Sequence, residues 1–558
     1  MKIDRQMSEE FIVELNFADE IIDEQNDPAF SSEKMFSLLP ETIVDKRTLL
    51  MVEIHDLFKA VDHTMTAVGS ARLFRSLVNP SESIELIHAK QDSFCELTGN
   101  DRLRQAIVDY LEMFRREEKE LFQFLNAHTH PLFIYTNLRH VKNAVQNLIQ
   151  AAKKIPQPET VYLDSLIKSI LSLERSPVSR LLSTPTYRTI NGVRTRDEKS
   201  PFTLALRFRP GRISGGTLLP FLPVTLFGLA WLFGFMEPAR AKSMCFLTSW
   251  LSILGVSYAG LIKPFFDWES AVLPLRARFL ESDRFGSAIE SVAAIDELVS
   301  FIVYCESMPY PTAIPEITNE PVHYFVTKDL RNPIISSASR DFIPNDAELE
   351  GVRLTFVTGP NSGGKTTFCK TIVQNQILGQ IGAPVAARYA RMNMADRITY
   401  QAPSFDTLND TEGRFGTELK QTRDIFLATT PKSLVVLDEI AEGTTNHEKL
   451  LLSEEIMNGF HAIGSNTVMV THNFELVEKF KQEGKGQYLR AEFDGEVPTH
   501  RISAGISTES HAMRVARKIG FAPSDIKKHL EKSGYLNHPF PAPDTAREPR
   551  RPYCRRNK

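Results

Sequence analysis

Eight consecutive residues, Gly359-Pro360-Asn361-Ser362-Gly363-Gly364-Lys365-Thr366, fit the pattern G-x-x-x-x-G-K-[ST]. Residues of these types at this spacing bind phosphate. Glycines let several backbone N–H groups converge on one anion, at a helix N-terminus whose dipole already favours negative charge. Lys365 would neutralise β- and γ-phosphate oxygens, and the Thr366 hydroxyl would ligate Mg2+. Two further runs supply the rest of a hydrolytic site. Ser433-Leu434-Val435-Val436-Leu437-Asp438-Glu439 is an apolar strand ending in two carboxylates. Asp438 is the expected Mg2+ ligand, directly or through water, and Glu439 the general base that polarises the attacking water. Thr467-Val468-Met469-Val470-Thr471-His472 is a second such strand, and its terminal His472 is placed to sense the γ-phosphate.

These residues need particular elements to position them. The apolar run Leu354 to Val357 precedes the glycine loop and a helical pattern, Thr367 to Leu378, follows it, which is the strand–loop–helix order the motif requires. Continuous apolar strands are buried on both faces, as in a parallel sheet, and ligands bind at the C-terminal ends of such strands. From about Val322 to near Gly520 strands and helices alternate, predicting an α/β domain. Before it, from Leu49 to about Ile149, apolar residues recur three and four apart, as in Leu57, Val61, Leu73 and Leu77. Pro80 ends one helix there, and Ser81 or Ser83 is placed to cap the next. A further helix is expected from about Val161 to Glu174, then a loop with a short strand over 183–216. Helix resumes from Ala271 to about Glu306, up to the boundary at Pro309, Pro311 and Pro315.

One region has a different composition. Residues 213–236 are 24 in a row without charge, and 243–262 are 20 more. About 20 apolar residues at 1.5 Å each cross a bilayer core of roughly 30 Å. Arg207, Arg209 and Arg212 lie upstream and Lys263, Arg276 and Arg278 downstream, the distribution of a hairpin with both ends inside. Arg240 and Lys242 in the linker, with Pro220 and Pro223, suit the other reading, a pair of helices buried in the protein or in a dimer interface.

Composition removes several classes. With 42% hydrophobic and 24% charged residues the chain is neither collagen-like, mucin-like nor wholly disordered. Its net charge of −4 leaves any nucleic-acid surface to a local patch. The five cysteines (Cys95, Cys245, Cys305, Cys369, Cys554) contain no CxxC pair, so no zinc ribbon or thioredoxin motif is expected, and their sparseness suits a reducing compartment. The N-terminus MKIDRQMSEEFIVEL has no long apolar stretch, so a cleaved secretory signal is not expected.

The runs TFVTGPNSGGKTTF, SLVVLDEIAEGTT and VMVTHNFEL together resemble the MutS family of DNA mismatch-repair ATPases. The stretch LFKAVDHTMTAVGSARLFRSLVNP (57–80) is similar to the start of that family's helical core domain, with Asp62, Thr64, Thr66, Gly69 and Ser70 in matching places. Ile295 to Ile334 resembles its return to the ATPase domain. The resemblance covers about 47–140 and 290–532 and implies an ABC-type P-loop ATPase preceded by an all-helical core, active as a dimer and coupled to DNA. It implies ATP and Mg2+ as ligands, bound by Gly359 to Thr367. Adenine would stack on Phe342, in the segment FIPND, with His500 as the other stacking position. Ser507 to Glu531 resembles the family's helix–turn–helix dimerisation element, implying a homodimer through the C-terminal helices. Departures are equally definite. The family's mismatch reader is an N-terminal domain, and here the helical core begins by about residue 47, so that domain is not expected within this chain. The apolar pair stands where the family's DNA-clamping helices belong. Gly413 stands where the family has a signature Ser that reaches the partner's γ-phosphate, and Ala441-Glu442 stands where it has Gly-Arg.

The chain is accordingly divided into a leader (1–46), a helical core domain (47–190), an apolar helical pair or membrane hairpin (191–270), the helical core's return (271–320), the ATPase domain with its C-terminal helix–turn–helix (321–532) and a disordered basic tail (533–558). Two functions follow: a cytoplasmic DNA-coupled ATPase, or a membrane-anchored ATPase at the cytoplasmic face, acting on a membrane or protein partner.

Overall fold

The computed structural model describes residues 43–126, 130–189, 192–198, 205–211, 222–339, 341–403, 413–440, 446–495, 497–507, 516 and 519–535. Most of the expected leader and most of the basic tail lie outside the described residues, as does the loop 441–445.

The helical region begins with α1 (Lys46–Met51), α2 (Ile54–Val61), α3 (Ala67–Val78), α4 (Ile84–Gly99), α5 (Asp101–Leu125), α6 (Ile134–Ala152), α7 (Val161–Ser172) and α8 (Pro177–Ser183). A small antiparallel sheet follows, with strands β1 (Tyr187–Thr189), β2 (Gly192–Arg194) and β3 (Leu206–Arg207) in the order β2-β1-β3. Then come α9 (Leu222–Leu232), α10 (Pro238–Ser257), α11 (Lys263–Asp267), α12 (Leu273–Leu280) and α13 (Asp283–Ser307). Ser83 caps α4 by accepting from the Leu86 N–H at 3.2 Å. The axis of this region is α13, buried on nearly every face between Ala288 and Ile302, as a helix without a polar face must be. Around it pack α3, α4, α5 and α7.

The residues Asp62, Thr64, Thr66, Gly69 and Ser70 form the joint between α2, α3 and α13. Thr66 caps α3 by accepting from Gly69 N–H. The buried Asp296 of α13 accepts from Thr66 N–H (2.8 Å) and Oγ1 (2.6 Å). Glu118 of α5 accepts from Ala67 and Val68 N–H at 3.0 and 2.9 Å. Two carboxylates thus satisfy the orphan donors of one helix N-terminus, and burial pushes Asp296 up to about 6 and Glu118 up to about 7. Ser70 and Thr64 both donate to Asp62. A Cβ on Gly69 would lie 2.1 Å from Asp296 Oδ2, so no larger residue fits there without moving α13.

The α/β region contains β4 (Glu316–Thr318), β5 (Phe325–Leu330), α14 (Pro333–Ala338), β6 (Asn345–Glu348), β7 (Leu354–Thr358), α15 (Lys365–Gln380), β8 (Tyr389–Asn393), β9 (Ile398–Gln401), α16 (Gly413–Ala428), β10 (Leu434–Asp438), α17 (Asn446–Ile463), β11 (Asn466–Val470), α18 (Phe474–Gln482), β12 (Gln487–Asp494), β13 (Val497–Ala504) and α19 (Pro523–Lys532). The main sheet has the order β13-β12-β7-β11-β10-β9, parallel except for the edge strand β13. The three central strands β7, β11 and β10 are fully buried, which explains their uninterrupted apolar sequence. A second sheet, β4-β8-β5-β6, lies beside it. The last residues read as leader extend the main sheet: Val44 pairs in parallel with Ile398, and Thr48 Oγ1 accepts from Tyr400 N–H at 2.7 Å.

Buried amides on α15 tie the two regions together. Gln374 donates to the Val52 carbonyl (2.8 Å) and Gln380 to the Ser81 carbonyl (3.3 Å). Lys90 of α4, buried against Glu297 at 2.8 Å, donates to the Ile381 carbonyl just beyond α15. Each is a buried polar group with its partner supplied across the boundary, as low dielectric demands.

The apolar pair is exposed. α9 packs on α10, yet Leu226, Leu229, Trp231, Phe246, Leu247 and Trp250 all remain open to solvent. One helical stretch, Lys242–Leu280, is long and apolar enough to cross a membrane, and 12% of its most apolar window is buried. It contains two π-turns, Tyr258–Ile262 and Trp268–Val272. Each lies just before a proline, Pro264 and Pro274, whose missing N–H and ring clash widen the preceding turn.

Candidate functional site

The glycine loop leaves the C-terminal end of β7 and enters α15. Gly359 (φ 128°) and Gly364 (φ 89°) adopt backbone conformations that side chains disfavour. Close approach adds a second reason for glycine, since a Cβ on Gly363 would lie 2.5 Å from Ala491 Cβ on β12. Lys365 is buried and folds back onto the loop, donating to the Gly359 and Pro360 carbonyls at 2.7 and 3.0 Å. Burial holds its pKa below the ordinary lysine value, against the pull of Glu439 and Asp438. Its ammonium is therefore already positioned over the loop that would cradle phosphates.

Strand β10, one strand beyond β11 in the sheet, brings in the carboxylates. Thr366 Oγ1 donates to Asp438 Oδ2 at 2.9 Å, and the Tyr400 hydroxyl of β9 donates to the same oxygen at 3.1 Å. Burial raises the Asp438 pKa above the usual carboxylate value despite both hydrogen bonds. Glu439, immediately after β10, sits at φ 57°. For a non-glycine residue this costs about 1–3 kcal/mol and is characteristic of functional positions. Its N–H donates to the Val470 carbonyl at 3.0 Å, and its carboxylate meets His472 Nε2 at 2.9 Å. The hydrogen bond to His472 holds the Glu439 pKa below the ordinary glutamate value. The first turn of α15 and the C-terminal ends of the neighbouring parallel strands β10 and β11 thus bring Thr366, Asp438, Glu439 and His472 together.

Behind the loop is a cavity of 270 Å3. Phe342, Gly364, Thr367 and His500 all line it, together with Leu330 and Ile335. Asn345, itself in the lining, holds the strand that carries His500, donating to the His500 carbonyl at 3.0 Å and accepting from Ile502 N–H at 2.7 Å. Arg331 holds the Phe342 carbonyl at 3.1 Å. His500 has φ 58°, so the backbone is bent where its ring faces Gly364. The cavity is apolar and opens beside the phosphate loop, the arrangement a purine base requires.

Residues 355–535 match the family model for MutS domain V. Over this segment the chain is similar to MutS proteins. The MutS-like sequence is 26% identical to the DNA mismatch repair protein MutS of Prochlorococcus marinus over 513 residues, covering 84% of this chain and 54% of that protein. It is 31% identical to the DNA mismatch repair protein msh3 of Aspergillus oryzae over 268 residues, covering 45% of this chain and 24% of the relative. With MutS of Sorangium cellulosum it shares 33% over 202 residues, 35% of this chain and 22% of that one. The MutS-like chain therefore spans about half the length, or less, of these curated relatives.

Residues that sequence reasoning missed are those that hold the chemistry in place. Tyr400 on Asp438 and Asn345 behind His500 act through contacts between strands far apart in sequence. No local pattern in the strand Ile398-Thr399-Tyr400-Gln401 points to Tyr400. Gly413 opens α16, while Ala441-Glu442 lies outside the described residues.

Proposed function

We propose that this chain is an ABC-type, Mg-dependent ATPase that works as a dimer and couples ATP hydrolysis to DNA. The carrying observation is the pairing of Thr366 with Asp438 (2.9 Å) alongside that of Glu439 with His472 (2.9 Å), at the mouth of the phosphate loop. Thr366 and Asp438 suit Mg2+ as hard oxygen donors, and a cation would counter the burial that raises the Asp438 pKa. Among the described residues no cluster of three His, Cys, Asp or Glu side chains exists, so the remaining ligands would be phosphate oxygens and water. Mg2+ held by Thr366 and Asp438 would neutralise phosphate charge during hydrolysis. Lys365 supplies positive charge from the opposite side of the loop. Phe342 and His500 sandwich the base. Glu439, held ionised by His472, accepts a proton from the attacking water, and His472 also contacts the γ-phosphate. Ile519, Phe521 and Tyr535 are exposed apolar residues around α19, which supports a homodimer through the C-terminal helices. The DNA component rests on the relatives, each named as a DNA mismatch repair protein.

A second reading has its own observation. The uncovered apolar surface of α9 and α10 supports a membrane-anchored ATPase at the cytoplasmic face, through the expected stretches 213–236 and 243–262; of these only the second lies in a helix long enough to cross a bilayer (Lys242–Leu280), while α9 has 11 residues and 213–221 lie outside the described residues. Steady-state ATP hydrolysis with and without duplex, mismatched and branched DNA tests the first reading, with Lys365→Ala and Glu439→Gln as blanks. Stimulation by DNA that both variants abolish is the expected result. Hydrolysis indifferent to every DNA would remove the DNA component, and hydrolysis surviving Glu439→Gln would remove the assigned base.

A further inference from the structure

We propose that the cavity at the root of the apolar pair binds the headgroup phosphate of an anionic phospholipid; this rests on the membrane-anchored reading. The cavity measures 470 Å3, within the range of small-molecule sites. Its walls are of two kinds. Leu138, Leu181, Phe208 and Leu275 form an apolar floor. Lys142, Arg207 and Arg209 line the same cavity, with the Thr184 hydroxyl among them. Among the described residues no carboxylate pairs with any of these three cations. Arg188 nearby is different: it is paired with Asp267, and its guanidinium lies 4.9 Å from the Phe208 ring centroid.

The location selects the ligand. Phe208 N–H donates to the Thr186 carbonyl at 2.8 Å, which fixes β3 against the end of β1. Three residues on, the Gly211 carbonyl accepts from Lys263, where the long apolar helix emerges from the folded protein. The cavity therefore lies at the level where the exposed apolar surface begins. Ser243–Ile262 is 20 residues, about 30 Å of helix, so a bilayer accepting it would place its interface at this root. An unpaired cationic rim over an apolar floor matches a phosphate with glycerol and the first acyl carbons beneath it. Basic pockets beside membrane helices bind anionic headgroups in this way.

The test uses the full chain in neutral detergent and in vesicles. Titration with dihexanoyl phosphatidylglycerol should show saturable binding, stronger than that of dihexanoyl phosphatidylcholine or inorganic phosphate. The triple variant Lys142→Ala, Arg207→Ala, Arg209→Ala should weaken it roughly 100-fold, as expected for three cations at an anionic surface. That variant should keep its ATP hydrolysis and still float with pure phosphatidylcholine vesicles. Absence of saturable lipid binding in a chain that floats would overturn the headgroup site and leave the membrane reading standing. A chain that floats with no vesicle would sink both. Equal affinity for inorganic phosphate would refute a lipid ligand. A triple variant that loses duplex-DNA binding but keeps lipid binding would reassign the cations to nucleic acid.

Discussion

The main sheet and the apolar pair have nearly the same hydrophobic character along the chain and opposite fates in the structure. β7, β10 and β11 lie wholly inside, covered by helices on both sides. α9 and α10 cover only each other and leave most large side chains in the open. Apolar sequence records a need for burial, not who supplies the cover. In the sheet the chain supplies it itself. In the pair no described residue does, which is what the proposed membrane anchor would supply.

Charge placed in each region sharpens that contrast. Val436→Asp would bury an unpaired carboxylate in β10 and is expected to cost more than about 4 kcal/mol, with loss of the folded protein; normal yield and melting temperature would show that the sheet is less closed than described. At the joint of α3 and α13, Gly69→Ala forces a methyl into Asp296 and should destabilise by about 1–3 kcal/mol, read as a lower denaturant midpoint. Tyr400→Phe removes one hydrogen bond from Asp438. It should raise the Mg2+ concentration for half-maximal hydrolysis about tenfold while leaving Tm nearly unchanged.

Smaller still is His472→Gln. Glu439 is held low by His472, so its ionised form persists as pH falls until the depressed pKa is reached. Removing the imidazole weakens that hold, raises the pKa and moves the acid limb of kcat towards higher pH by less than about one unit. An unmoved limb would separate Glu439 from the rate-limiting proton transfer. Leu247→Asp should do least in water, within about 0.5 kcal/mol, because Leu247 is already exposed. The same change should reduce recovery with vesicles, and a large loss of stability without lipid would mean that the pair is covered by protein after all.

Much of the site was legible locally. The glycine loop, the strand ending in Asp438-Glu439 and the strand ending in His472 carry their signals within about eight residues each, because phosphate binding uses backbone geometry that only certain short sequences allow. Ser83 as a cap was readable for the same reason. Contacts such as Tyr400 on Asp438, Thr48 on Tyr400 and Gln374 on the Val52 carbonyl were not. They join segments up to 352 residues apart, and no local pattern encodes a partner at that distance.

By itself the sequence determined that strands and helices alternate around a phosphate loop, that a helical region precedes them and that two apolar stretches lie between. Periodicity, turn chemistry and motif spacing are local properties, so they survive without coordinates. Tertiary structure decided the rest: that the described residues leave the apolar pair uncovered, that Ile43 and Val44 extend the main sheet, and that Phe342 and His500, 158 positions apart in the chain, face one cavity. Burial and long-range pairing depend on how distant segments pack, and that is settled only when the whole chain has excluded its water.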